Sequence, residues 1–394
     1  MLAAAQMLGS SGLTVVVILG GIVAAQLAPR PSLATVPISL AIVATALTTI
    51  PASLLMRRIG RRAGFILGAS IGMVGGLVAA EAIVLRDFVM FCAATLLMGS
   101  SMAFTQQYRF AAAESAPPER LSQAVSYVLV GGFCAAIVNP QLALAARWLV
   151  PGREYAGSFV AVSLLYAATI AVLSRLHAPP PSVPRPKTAS EATRTPFATP
   201  QFRMAVFAGA CAYAVMSFVM TAAPISMHNL DHHGLEATTW VVQSHVLSMY
   251  LPSLFTGHVI ARFGERTVMM WGGALLASCA GVSLFGHHLM HYWLGLVALG
   301  LGWNLLFVAG TTLLARSVDP AHRHRAQALN DFTVFGSQAC ASLLAGLAVQ
   351  LIGWQALNLV TLPLLAAMIF TASRLRPAAT AVTPVATVPS ESRS

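Results

Sequence analysis

Long apolar runs with almost no charge inside them set the strongest limit on what this chain can become. Twelve segments reach the roughly 20 residues that a helix needs to cross the hydrocarbon of a bilayer. They are about 2–28, 34–56, 65–85, 88–113, 120–148, 155–176, 201–228, 236–261, 268–286, 290–316, 325–352 and 355–374. Lipid satisfies no backbone hydrogen bond, so each run predicts an α-helix. Charged residues are 9% of the 394-residue chain and apolar ones 57%. A water-facing surface usually needs roughly a quarter charged. The expected class is all-α integral membrane.

The runs fall into two sets of six. Between them lies HAPPPSVPRPKTASEATRTPFATP, rich in Pro, Ser, Thr and Ala, which reads as a flexible or polyproline-like linker. The expected organisation is a six-helix half at 1–176, a linker at 177–200, a second six-helix half at 201–376 and a disordered tail at 377–394. The first run starts at Met1 with no basic leader before it, so it reads as a spanning helix rather than a signal peptide.

The formal net charge of +11 would suggest nucleic acid in a soluble protein. Here the positive charges sit in short loops and no nucleic acid is expected. Placing the linker in the cytoplasm puts 19 of the 23 Lys and Arg residues on that side and 4 outside, namely Arg30, Arg86, Arg147 and Arg153. The positive-inside rule then makes both termini cytoplasmic. The five cysteines are scattered singly with no CxxC and read as small buried hydrophobes.

A short basic loop recurs. Residues 54–68 read LLMRRIGRRAGFILG and residues 257–272 read GHVIARFGERTVMMWG. Both hold Arg-x-Gly-x-Arg, at Arg58, Gly60 and Arg62 and at Arg262, Gly264 and Arg266, with Arg61 adjoining in the first. Each lies between the second and third helix of its half, as parallel repeats produce. The glycine permits a sharp turn, and the arginines can take helix C-terminal carbonyls or pair with acids across the halves. The loop resembles the G-x-x-x-D-R-x-G-R-R/K signature of the major facilitator superfamily. The match is Arg58, Gly60, Arg61 and Arg62; the acid is replaced by Arg57, and by Ala261 in the second loop. The resemblance implies the major facilitator fold, twelve transmembrane helices in two six-helix halves, with cargo bound between the halves and alternating access by rocking. The missing acid leaves open how the outward-facing state is locked.

Two helices offer soft ligands. Met216 and Met220 are four apart on the seventh run, and His245 and Met249 four apart on the eighth, so each pair shares a face. Counted from His228 and Glu236 as outer ends, Met220 and His245 lie 8 and 9 residues in, and Met216 and Met249 lie 12 and 13. The pairs are level near mid-membrane. Thioether with imidazole suits a soft ion, above all Cu(I). Methionine also packs well in any core, while a mid-membrane histidine tends to be functional or internally paired. The pairing resembles the CcoA-type copper importers, which carry MxxxM and HxxxM on these two helices. That resemblance implies copper import across a bacterial inner membrane for haem–copper cytochrome oxidase assembly, with delivery to a cytoplasmic copper acceptor.

Met98 and Met102 on the fourth run are secondary metal candidates, as are Met227, His228, His232 and His233 in an outer loop. For each, packing or interfacial polarity is the plainer alternative. Arg109 lies inside a helix end and needs a partner. With Glu81 and Asp331 it is a candidate gate or coupling group. No Walker loop, HExxH or paired catalytic acids are found, so neither an enzyme nor an ATP-driven pump is expected, and copper enters as cargo with no cofactor. An organic solute or drug transporter on the same fold, and a non-transporting copper sensor or assembly factor, remain the alternatives.

Overall fold

The computed structural model describes residues 1–30, 33, 36–176, 199–319 and 322–375. Nearly all of the expected linker and the whole expected tail lie outside these residues. Fourteen α-helices are present among the described residues: α1 (Leu2–Gly9), α2 (Ser11–Leu27), α3 (Val36–Ile59), α4 (Arg61–Leu85), α5 (Phe88–Thr105), α6 (Tyr108–Ser115), α7 (Leu121–Ala145), α8 (Ala156–Ser174), α9 (Pro200–Pro224), α10 (Leu235–Tyr250), α11 (Ser253–Ser283), α12 (Leu289–Ser317), α13 (Arg323–Leu359) and α14 (Leu362–Arg374).

These helices make twelve crossings, because several crossings are broken and two helices turn back. The 52 residues from Arg323 to Arg374 form one apolar helical stretch. At about 1.5 Å per residue it would be more than twice the hydrocarbon thickness. Gly353, at φ 74° and ψ 174°, turns it back on itself. Gly264, at φ 77° and ψ 158°, does the same inside α11. The first crossing bends at Ser10, whose hydroxyl bonds the Gln6 carbonyl while the Gln6 amide bonds that hydroxyl. Such local bonds compete with the helical ladder. The fourth crossing breaks at Gln106 and Gln107, between α5 and α6. The eighth breaks before Pro252, which has no N–H to give the ladder. There Asn304 of α12 donates to the Met249 carbonyl and to Ser253 Oγ, both at 2.6 Å, and accepts from Thr256 at 2.6 Å. A residue from a neighbouring helix thus stitches the break.

Two hydrophobic cores form. One draws only on residues between Ala5 and Leu173. The other draws mainly on residues between Phe202 and Leu375, joined by Phe110, Leu121 and Val125 of the first half. Close approach is needed at Gly99, where an added Cβ would lie 2.8 Å from Ala41 Cα on α3. The halves meet chiefly through α3 against α13 and α7 against α11. The hydrogen bonds between those helices lie at the end bearing the Arg-Gly loops: Ser53 Oγ donates to the His324 carbonyl and Ser122 Oγ to that of Gly257, at 2.7 and 2.8 Å.

Candidate functional site

The polar groups that join the halves are concentrated on the same basic face. Gly60 adopts φ 85° and ψ 160°, a backbone that side chains rarely allow, and this starts α4 with Arg61 aimed inward. Arg61 grips Glu114 with two nitrogens, at 2.6 and 3.3 Å, a bidentate arrangement. It also donates to Gln107 at 3.3 Å and, across the halves, to Gln327 at 2.5 Å. Gln327 returns a bond to Glu114 at 3.0 Å, and Arg323 approaches that carboxylate at 3.8 Å. Arg323, Gln327 and Asp331 are four apart on α13, so they share one face.

One turn deeper, Arg109 of α6 pairs with Asp331 of α13. Asp331 is fully buried and Arg109 is 2% exposed. The carboxylate also accepts from Gln107 and Asn330, each at 2.8 Å. Gln107 therefore touches both nests. The Arg109 guanidinium lies 4.6 Å from the Phe110 ring centre and 4.7 Å from that of Phe307. The Arg109 Nε has no partner among the described residues, but the charge itself is paired; buried charges paired in this way hold two surfaces in register, and losing one partner is costly.

The second loop repeats this contact pattern with its charges reversed. Gly264 matches the Gly60 backbone, and Glu265 occupies the place of Arg61. Glu265 pairs with Arg316 at 2.5 Å, and Arg316 reaches across to the Pro118 carbonyl at 3.3 Å. Glu114 and Arg316 each lie near the end of the fourth crossing of their half. In the first loop, which lacks the acid expected before Arg58, the contact across the halves runs from Arg61 to Gln327. Arg58, Arg62 and Arg262 are exposed, and Arg266 is partly so. Glu81 is also exposed, far along α4 from the gate, and no ion pair of the described residues includes it.

Beyond the Arg109–Asp331 pair, near the midpoints of α9 and α12, lies an aromatic cluster whose members belong to the second-half core. Tyr213 of α9 meets Trp303, Phe307 and Phe335 edge-on at 5.2, 5.1 and 5.5 Å. Trp303 stacks on Phe307 at 5.1 Å, and Tyr250 closes on Trp303 at 5.9 Å. Tyr250 also approaches Gly132 of α7, so the cluster touches both halves. Trp303 Nε1 is buried with no partner among the described residues. An unpaired buried donor costs about 1–3 kcal/mol.

The candidate metal ligands are placed as follows. Met216 and Met249 are each 7% exposed and belong to the second-half core, with Met220 partly buried against it. His245 is fully buried on α10, its Nδ1 donating to the Leu296 carbonyl of α12 at 2.7 Å while Nε2 has no partner among the described residues. Its imidazole therefore points to α12. Met98 is fully buried in the first-half core against Gly75, and Met102 is nearly so. Met227 is a core residue, and the side chain of His228 is outside the described set. His232 is exposed at φ 56°. His233 Nε2 donates to the His287 carbonyl at 2.8 Å, and His287 pairs with Asp231 at 2.8 Å. The outer histidines thus tie one loop to another through Asp231, which Tyr292 also contacts at 2.5 Å. No group of three or more His, Cys, Asp or Glu that could hold a metal occurs among the described residues.

A family model described as the Major Facilitator Superfamily matches residues 1–234 and 205–391. The riboflavin transporter RfnT of Brucella anthropi is 40% identical over 370 residues, covering 92% of this chain and 91% of the relative. Among solved structures, the E. coli fucose:proton symporter FucP in an outward conformation aligns with a TM-score of 0.74 at 13% identity, over 95% of this chain and 97% of that one. The human organic anion transporter MFSD10 aligns with a TM-score of 0.75 at 15% identity, over 94% and 97%. The relative with high identity is named for riboflavin, so the expected likeness to copper importers finds no support in it.

Proposed function

Because this chain belongs to the major facilitator superfamily, we propose that it is a secondary transporter of an organic solute, and that a flat heteroaromatic compound of the riboflavin type is its cargo. The observation that carries this is the aromatic cluster of Tyr213, Trp303, Phe307 and Phe335, with the Trp303 N–H having no partner among the described residues. Aromatic faces favour planar π-systems, and an isoalloxazine offers ring carbonyls that can accept from an indole. The resemblance to RfnT supports the same class. Alternating access requires the basic-face gate to open, with the cross-half contacts of Arg109 with Asp331, Arg61 with Gln327 and Arg316 with the Pro118 carbonyl breaking as the halves rock. The arginine distribution favours that face being cytoplasmic, in a bacterial inner membrane.

The copper reading rests on Met216, Met220, His245 and Met249, and on the buried His245 Nε2 that has no partner among the described residues. It is the second reading, because the imidazole faces α12 and α9 carries the other two ligands. One experiment separates the two: uptake of radiolabelled riboflavin and of copper-64 by cells expressing the chain, each with Trp303→Leu and His245→Ala at matched membrane levels. Riboflavin uptake lost in Trp303→Leu supports the organic cargo. Copper uptake lost in His245→Ala, with no riboflavin flux, supports the metal and sinks the organic reading.

A further inference from the structure

Where α9 begins and α14 ends, on the basic face, a cavity of ≈ 540 Å³ opens. Its wall includes Arg203, Met204 and Phe207 of α9 and Phe370, Thr371 and Arg374 of α14. The two arginines come from positions 171 residues apart (374 − 203) and converge only through the fold. Both are exposed, and neither pairs with a carboxylate among the described residues. No acidic residue lines the cavity. Arg374 lies over the Phe370 ring, 5.0 Å from its centre, which fixes its direction. Toward the membrane interior the wall turns apolar at Phe207. Phe370 is 58% exposed, a large ring left facing outward.

The level is that of a headgroup. Arg203 sits one turn into α9 and Arg374 closes α14, so both guanidinium groups lie at the end of the hydrocarbon. We propose that this cavity binds an anionic phospholipid of the leaflet on the basic face, its phosphate held between Arg203 and Arg374 and the start of an acyl chain laid over Phe207 and Phe370. Two guanidinium groups match a phosphate in charge and fork geometry. Basic pockets between membrane helices are suited to such headgroups. None of the cavity's lining residues belongs to the aromatic cluster around Trp303, and the inference does not depend on the identity of the cargo.

The test uses the purified full chain in a neutral detergent, titrated with phosphatidylglycerol or phosphatidylcholine, and retained lipid is counted by native mass spectrometry. Wild type should retain phosphatidylglycerol over phosphatidylcholine. At about 1 kcal/mol for each arginine, Arg203→Gln/Arg374→Gln should weaken phosphatidylglycerol roughly 30-fold. Arg120→Gln/Arg175→Gln removes equal charge from the same face outside the cavity and should leave it within about threefold. Equal weakening by both pairs would mean diffuse attraction and overturn the site. So would no preference in the wild type, as expected if a segment of this chain fills the cavity. Millimolar inorganic phosphate that displaces the lipid completely would show that no acyl contact contributes, and would overturn the lipid assignment.

Discussion

Asp331→Asn should release the gate. The carboxylate is fully buried and takes bonds from Arg109, Gln107 and Asn330, the first two from the opposite half. An asparagine keeps the shape but leaves the Arg109 charge buried without its counter-ion. Removing one partner of a buried pair costs about 3–5 kcal/mol. The pair exists only while the basic face is closed, so the cost falls on that state alone. Taking the lower end, the closed population relative to the open one drops roughly 150-fold, since about 1.4 kcal/mol is a factor of ten. Spin labels at Arg58→Cys and Arg325→Cys, both exposed in the native chain, report the opening by pulsed electron resonance once the native cysteines are replaced. The expected outcome is a new long-distance population in Asp331→Asn. Arg109→Gln/Asp331→Asn should recover much of the lost closure, because no charge is then stranded. An unchanged distance distribution in the single variant would refute the reasoning.

The reversed latch predicts that Glu265→Arg/Arg316→Glu transports better than either single variant, because the pair at 2.5 Å is restored with its ends exchanged; the flux ratio checks it. Asn304→Leu should lower the melting temperature, as the three bonds spanning the Pro252 break are lost, at about 1 kcal/mol each. Gly99→Leu should destabilise the first half by a few kcal/mol, because no side chain fits against Ala41; thermal unfolding in detergent reads it. Glu81→Gln should leave flux and its pH profile unchanged, since the residue is exposed and remote from the gate; a shifted profile would return Glu81 to the list of coupling groups.

Most of the fold was legible because a bilayer leaves few choices. Apolar runs mark crossings, and the Arg-x-Gly-x-Arg repeat marks two glycines that take nearly the same backbone, φ 85° and 77°. The breaks at Ser10, Gln106 and Pro252 were harder, since a short polar interruption reads alike whether a helix bends or continues. At the gate, Arg109 and Asp331 stood out singly as intramembrane charges. Their pairing spans 222 residues and follows only from bringing α6 against α13. The Arg323, Gln327 and Asp331 stripe is visible in the spacing, but its partners Glu114, Arg61 and Arg109 lie in the other half and are brought to it only by the fold. The methionine and histidine stripes drew attention through rarity, whereas Tyr213, Trp303, Phe307 and Phe335 sit on three helices and look like ordinary core residues in sequence. Spacing also could not show that the Leu296 carbonyl holds the His245 ring.

The central claim is that a planar aromatic cargo stacks at Trp303. The most direct measurement is the fluorescence of a flavin titrated with the purified chain, because stacking on an indole quenches it. Saturable quenching should occur in the wild type and vanish in Trp303→Leu, while His245→Ala retains it. Quenching that persists unchanged in Trp303→Leu, or no saturable quenching by the wild type, would contradict the account.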